Sequence, residues 1–116
     1  MDKKITWLNT RRPKAGLVWL DAHRNNTTFI DGDVLADIAA DDTEISVDTI
    51  IIEDMVRRQS ACGRVVCSNG EVVMFTVDIA PRWQFIIDLH GNDDFIREHQ
   101  ALLTNAVNIE ILAKVA

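Results

Sequence analysis

Residues 64–79 read Arg64-Val-Val-Cys-Ser-Asn-Gly-Glu-Val-Val-Met-Phe-Thr-Val-Asp-Ile79 and carry the strongest structural signal in the chain. The Asn69-Gly70 pair favours a two-residue type I′ turn, because that turn needs positive φ at both central residues. Such a turn predicts a β-hairpin in which Cys67 faces Val72. Both sides of the second strand are apolar near the turn. We therefore predict a central strand with protein covering each face of the sheet.

The segments that precede the hairpin predict two strands and two helices. Residues 16–23 and 27–31 favour strands joined by an Asn25-Asn26 turn. The period then changes to helical spacing from Val34, with an Asp at the cap, and predicts a helix that stops near Asp41-Asp42. Residues 47–60 predict a second helix, capped by Ser46 and ended by Gly63, although alternation over 45–51 leaves a strand open.

The segments that follow the hairpin predict a strand, a helix and a last strand. Trp83, Phe85, Ile87 and Leu89 alternate with polar neighbours, which is typical of a half-buried strand. Asn92 caps a helix predicted to end near Asn105, and residues 107–115 alternate as a strand would. The predicted fold is therefore one α+β domain over 1–116. It has a mainly antiparallel sheet, in which the 64–67/71–79/83–90 meander is central and the C-terminal strand is added, and two or three helices packed on it.

Composition narrows the class of protein without naming a function. The 116 residues are 47% hydrophobic and 26% charged, which suits one globular domain. Apolar runs are too short for a membrane span, and the first residues lead into no signal-peptide core, so we expect a cytoplasmic protein. Cys62 and Cys67 are expected to be core thiols rather than metal ligands or a disulfide.

The charge layout is the most informative feature apart from the fold. Residues 1–24 carry six Lys or Arg against two Asp, whereas residues 25–56 carry nine carboxylates and no base, within a net charge of −6. One interpretation is a surface that imitates the spaced charge of nucleic acid and fits a basic protein. The competing interpretation is a solvated face that the basic N-terminal segment neutralises in the fold.

Three functions compete, and we favour a non-enzymatic, protein-binding module without a cofactor. It would act as an inhibitor or as an antitoxin-like or immunity-like partner of a basic nuclease or nucleic-acid-binding protein, and a homodimer is compatible with it. It would not bind nucleic acid directly. The expected partner-binding residues are Asp37, Asp41, Asp42, Glu44, Asp48, Glu53 and Asp54.

The first alternative is a winged-helix DNA-binding regulator, with 47–60 as the recognition helix and Ser68-Asn69-Gly70 as the wing tip. Its predicted helix brings Asp48, Glu53 and Asp54 toward the phosphates, which opposes docking. The second alternative is a small metal-assisted enzyme that uses Asp88 and His90, with His99 downstream. These residues match no known metal spacing, so we expect no resident metal and predict no catalytic residue.

Overall fold

The computed structural model describes residues 17–22, 26–81 and 84–115, which form six strands and three helices. One sheet contains all six strands, in the spatial order β2-β1-β6-β5-β4-β3. The elements are β1 (Leu17–Ala22), β2 (Asn26–Asp31), α1 (Gly32–Ala39), β3 (Val47–Val56), β4 (Ser60–Cys67), β5 (Val72–Ala80), β6 (Gln84–His90), α2 (Asp93–Glu98) and α3 (Gln100–Val115).

The sheet confirms the predicted α+β class and the predicted meander of β4, β5 and β6. The sheet is mixed, because β1 pairs with β6 in parallel while the other neighbours pair antiparallel. The strands β1 and β2 pair antiparallel as predicted, and α1 also follows the prediction. Of the predicted Asn25-Asn26 turn, Asn25 lies outside the described residues and Asn26 belongs to β2. The Asp31 side chain caps α1 by accepting from the backbone N–H of Asp33 at 2.8 Å. No helix within the described ranges is long and apolar enough to cross a membrane.

The core lies between one face of the sheet and the helices. Every second side chain of β4, β5 and β6 points toward the helices, as strand alternation requires. The helix α3 packs against these side chains with an apolar stripe at helical spacing. The helices α1 and α3 also pack against each other. The most deeply buried branched aliphatic and aromatic side chains are Val18, Leu35, Val65, Val73, Phe75, Val77, Phe85, Leu103, Val107 and Ile111.

The other face of the sheet is open among the described residues, which corrects the prediction that both faces are covered. The central strand β5 does lie between β4 and β6. However, its outward side chains Val72 and Met74 are 42% and 43% exposed. Apolar residues on both sides of β5 therefore did not mean two covered faces.

The turn between β4 and β5 has three residues instead of the predicted two. Cys67 and Glu71 form the pair that closes the turn, because the backbone N–H of Cys67 donates to the Glu71 carbonyl at 2.9 Å. The backbone N–H of Gly70 donates to the Cys67 carbonyl, also at 2.9 Å. Within this turn, Gly70 alone has positive φ, at 92°. A three-residue loop that ends in a left-handed glycine fits this pattern. The register moves by one residue as a result, and Val66 instead of Cys67 lies opposite Val72.

The predicted helix over 47–60 is wrong, because residues 47–56 form β3 at the edge of the sheet. Two register shifts interrupt its pairing with β4, between Val47 and Thr49 and between Ile52 and Asp54. Each shift breaks the alternation of a strand by one residue. The residues packed toward the core are consequently 47, 50, 52 and 55, a spacing that imitates a helical stripe.

The predicted strand over 107–115 is also wrong, because α3 continues to Val115. Asn92 does cap α2, accepting from the Phe95 N–H at 3.1 Å, but this helix breaks at His99 before α3 begins. Val107, Ile111 and Val115 are buried four residues apart, whereas Ile109 is 56% exposed. Helical spacing therefore fits the burial of this segment, and alternation does not.

Candidate functional site: the acidic end of the sheet

The topology gathers carboxylates at one end of the sheet. At this end β3 begins beside the end of β4, and β5 begins beside the end of β6. The connection from α1 to β3, residues 40–46, arrives there, and α2 starts there after His90. We call this region the acidic end and define it by Asp41, Asp42, Glu44, Asp48, Glu71, Asp93 and Asp94.

Backbone hydrogen bonds fix the loop that supplies most of these carboxylates. The N–H groups of Asp41 and Asp42 donate to the last carbonyls of α1, both at 3.1 Å. At the far side of the loop, Ser46 exchanges two hydrogen bonds with Ser68 of the β4–β5 turn, at 2.8 Å and 3.0 Å. The loop is therefore tied both to α1 and to the hairpin, which fixes where its side chains emerge.

The carboxylates of the acidic end are mostly exposed and have few basic neighbours. Within the described ranges, no Lys or Arg pairs with Asp41, Glu44, Asp48 or Glu71. Asp94 forms an ion pair with Arg97 at 3.1 Å, but both side chains are largely solvated, so the pair screens little charge. Residues 1–16, which carry five of the basic side chains, lie outside the described residues, as does the predicted neutralising contact.

The negative charge of the acidic end affects the pKa of the buried Cys67 thiol. Burial raises the pKa of Cys67 most, and the carboxylates of Glu71 and Asp48 raise it further. Desolvation and nearby negative charge both oppose a thiolate. Two carboxylates that are distant in sequence therefore act on one buried group, and Cys67 stays a neutral core thiol at neutral pH.

A buried histidine, His99, lies beside the acidic end at the junction of α2 and α3. Its Nδ1 lies 2.6 Å from Oδ2 of Asp42, and its Nε2 lies 3.6 Å from Oε1 of Glu44. Only 6% of the His99 side chain is exposed, against 76% for Glu44. We assign the hydrogen of this contact to Nδ1, since an ionised carboxylate accepts hydrogen bonds and does not donate them. The Phe95 ring, with its centroid 4.9 Å away, packs against the imidazole.

The structure divides the predicted partner-binding residues into two groups. Asp41, Asp42, Glu44 and Asp48 come together at the acidic end, as described above. Asp37 is exposed on α1, one helical turn before Asp41, whereas Glu53 and Asp54 lie roughly 15–20 Å along β3 from Asp48. Glu53 is also paired, since its Oε2 is 2.9 Å from Nε of Arg64.

Three carboxylates of the acidic end are absent from the predicted set. Glu71 follows the β4–β5 turn, and Asp93 and Asp94 occupy the first turn of α2. No local pattern places these residues near Asp48. Only the order of strands in the sheet does so, and the sequence alone did not provide that order.

The residues of both alternative functions are placed differently from the predictions. Asp88 and His90 share the open face of β6, whereas His99 lies among helices that pack on the opposite face. The three are therefore not assembled into one site. The winged-helix alternative loses its recognition helix, because residues 47–60 form β3 and the turn into β4.

Comparisons of the chain with protein-family models, with curated proteins and with solved structures gave no significant match.

Proposed function

We propose that this protein is a non-catalytic module that binds a basic protein partner through its acidic end. The observation that carries the proposal is the convergence of carboxylates from the α1–β3 loop, β3 and the β4–β5 turn, none paired with a described Lys or Arg. Such a surface attracts a partner whose Lys and Arg side chains match its spacing. An inhibitor or antitoxin-like role fits this chemistry.

The physical argument is one of unrelieved repulsion. Like charges held at one end of a small protein repel each other, and this repulsion destabilises the folded state of the free protein. A partner that carries Lys and Arg removes that repulsion when it docks, so complex formation is favoured over the isolated state. Screening over about 8 Å at physiological ionic strength makes the attraction strongly dependent on salt.

The test requires charge reversals that leave the fold intact. Asp41 and Asp42 are the obvious pair in the sequence, but Asp42 holds the buried His99 and reversing it would disturb the fold. Asp41 and Asp48 are both exposed and suit the test better. The matched control reverses Asp54 and Asp78, which are also exposed but lie away from the acidic end. Both double variants change the net charge by the same amount.

The experiment is affinity capture from the native host at low and high salt, followed by mass spectrometry and kinetics with the purified partner. We expect a basic protein to bind the wild type and the Asp54→Lys, Asp78→Lys control. The Asp41→Lys, Asp48→Lys variant should bind it at least about tenfold more weakly, mainly through a lower association rate. Equal weakening by both double variants would mean that net charge, and not the acidic end, controls binding.

A further inference from the structure

We propose that His99 and Glu44 form a binding site for a divalent cation of the zinc type, with Asp42 as the residue that positions both. The ligand atoms would be Nε2 of His99 and Oε1 of Glu44. Donor atoms of Asp42, Glu44 and His99 all lie within 4.8 Å of one another. This site is separate from the general attraction of a basic partner, because it needs one buried imidazole and one particular carboxylate.

The His99 ring is oriented as a metal-binding histidine is oriented. Its Nδ1–H donates to Asp42 at 2.6 Å, which directs the Nε2 atom toward Glu44. Histidine ligands usually donate their second ring N–H to a carboxylate or a carbonyl in this way. The same Asp42 also accepts from the backbone N–H of Glu44, at 3.3 Å through Oδ1. One aspartate therefore fixes both of the groups that would bind the ion.

The distance between the two ligand atoms fits a shared metal better than a hydrogen bond. Nε2 of His99 and Oε1 of Glu44 are 3.6 Å apart, which is too long for a hydrogen bond. Two atoms bound at about 2.0–2.1 Å to a tetrahedral zinc ion lie about 3.3–3.4 Å apart. A shift of a few tenths of an ångström in the exposed Glu44 side chain therefore closes the site.

The donor types select the kind of cation. Imidazole nitrogen favours zinc, cobalt, nickel and copper over magnesium and calcium, which prefer oxygen ligands alone. Two protein ligands leave the other coordination positions to water or to a side chain of a partner. The ion would thus bind reversibly, and the surrounding carboxylates would raise its local concentration. Our expectation of no resident metal concerned the purified chain and is compatible with a weak site of this kind.

The experiment titrates the tag-free chain, first stripped with a chelator, with Zn²⁺ by calorimetry and with Co²⁺ by visible absorption. We expect one ion per chain, with a large shift of the His99 Nε2 resonance in nitrogen-15 NMR spectra. Glu44→Gln should weaken binding at least about tenfold, and Asp42→Asn should weaken it about 10–100-fold, as for other groups that orient a ligand. His99→Gln should abolish the saturable component.

Two controls separate this site from a diffuse ion atmosphere. Glu71→Gln removes the same charge from the same acidic end, and His90→Ala removes an exposed histidine; both should change the affinity less than about twofold. If His99→Gln does not fold, the exposed Glu44 still provides the test. The proposal is overturned if Zn²⁺ shows no saturable binding with a dissociation constant below about 1 mM, which is already very weak. It is equally overturned if Glu71→Gln weakens binding as much as Glu44→Gln.

Discussion

At the scale of single residues, the Cys67 thiol links the acidic end to the stability of the fold. Its pKa is raised from the ordinary value of 9.0 by burial first, and then by Glu71 and Asp48. In the unfolded chain the thiol ionises at its ordinary pKa, whereas in the folded chain it stays neutral to higher pH. The contribution of the Cys67 thiol to the free energy of unfolding is therefore fully present below about pH 9. It is lost as the pH rises through the pKa that the thiol has in the folded chain.

We accordingly predict that the free energy of unfolding falls more steeply above about pH 9 in the wild type than in a Cys67→Ala variant. Urea denaturation at about pH 8 and about pH 10 measures both slopes. Cys62→Ala is the control, because Cys62 is the other free cysteine and points to the open face. A Cys67→Ala variant that keeps the full steepness would show that other groups cause the loss.

The Asp42–His99 pair supplies a second prediction for individual residues. Asp42→Ala leaves the buried Nδ1–H of His99 without its acceptor, and such a loss costs about 1–3 kcal/mol. Asp41→Ala changes an exposed neighbour and should stay within about 0.5 kcal/mol of the wild type. Urea denaturation of the two variants measures the difference. Equal stabilities would mean that His99 does not depend on Asp42 in solution.

At the scale of elements, the pairing of β3 with β4 depends on Gly63. A Cβ at this position would lie 2.0 Å from the carbonyl oxygen of Ile51, and both backbones are held in the sheet. We predict that Gly63→Ala costs about 1–3 kcal/mol or more, because the strands must separate to admit the methyl group. The comparison is Gly70→Ala, where a Cβ has open space but the backbone has φ of +92°. That strain costs roughly 1–2 kcal/mol but moves no neighbouring strand, so thermal denaturation should rank Gly63→Ala as the less stable.

The same strand shows why part of the fold was predictable from sequence and part was not. Regular alternation in β5 and β6, and the caps at Asp31 and Asn92, are local signals that gave the correct elements. In β3 the two bulges disturb the period, so the burial pattern resembles a helix. Its β-branched composition, including Thr49 and three consecutive Ile, was the signal that favoured a strand.

The candidate site was predictable only where its residues are close in sequence. The carboxylates of residues 41–48 are evident from sequence, because they belong to a segment, residues 25–56, that has nine carboxylates and no Lys or Arg. Glu71, Asp93 and the buried His99 join them only because β3, β4, β5 and β6 are neighbours in the sheet. Strand order depends on packing across the whole domain, and the pattern of one segment carries little information about it.

At the scale of the whole molecule, charge is segregated along the strands. The acidic end lies opposite the β3–β4 turn, which presents the exposed Arg57 and Arg58. Arg58 adopts φ of +62°, a conformation that few residues other than glycine, asparagine or aspartate adopt without strain. The fold thus keeps two bases far from the carboxylates they could neutralise, and the described residues leave the acidic end with an excess of negative charge.

This segregation leads to a prediction about salt that also tests the contact between residues 1–24 and the acidic end. If the carboxylates are not neutralised, repulsion among them destabilises the free protein, and screening should relieve it. The free energy of unfolding should then rise from about 10 mM to about 200 mM NaCl, a range over which the screening distance falls well below the size of the site. The Asp41→Lys, Asp48→Lys variant should gain about 0.5–1 kcal/mol at low salt and lose most of the salt response, since exposed charge pairs contribute on this scale. The Asp54→Lys, Asp78→Lys control carries the same net charge and should keep more of that response.

If the basic N-terminal segment pairs with the acidic end instead, salt must weaken those contacts. The wild type would then lose stability as NaCl is added, which is the opposite sign.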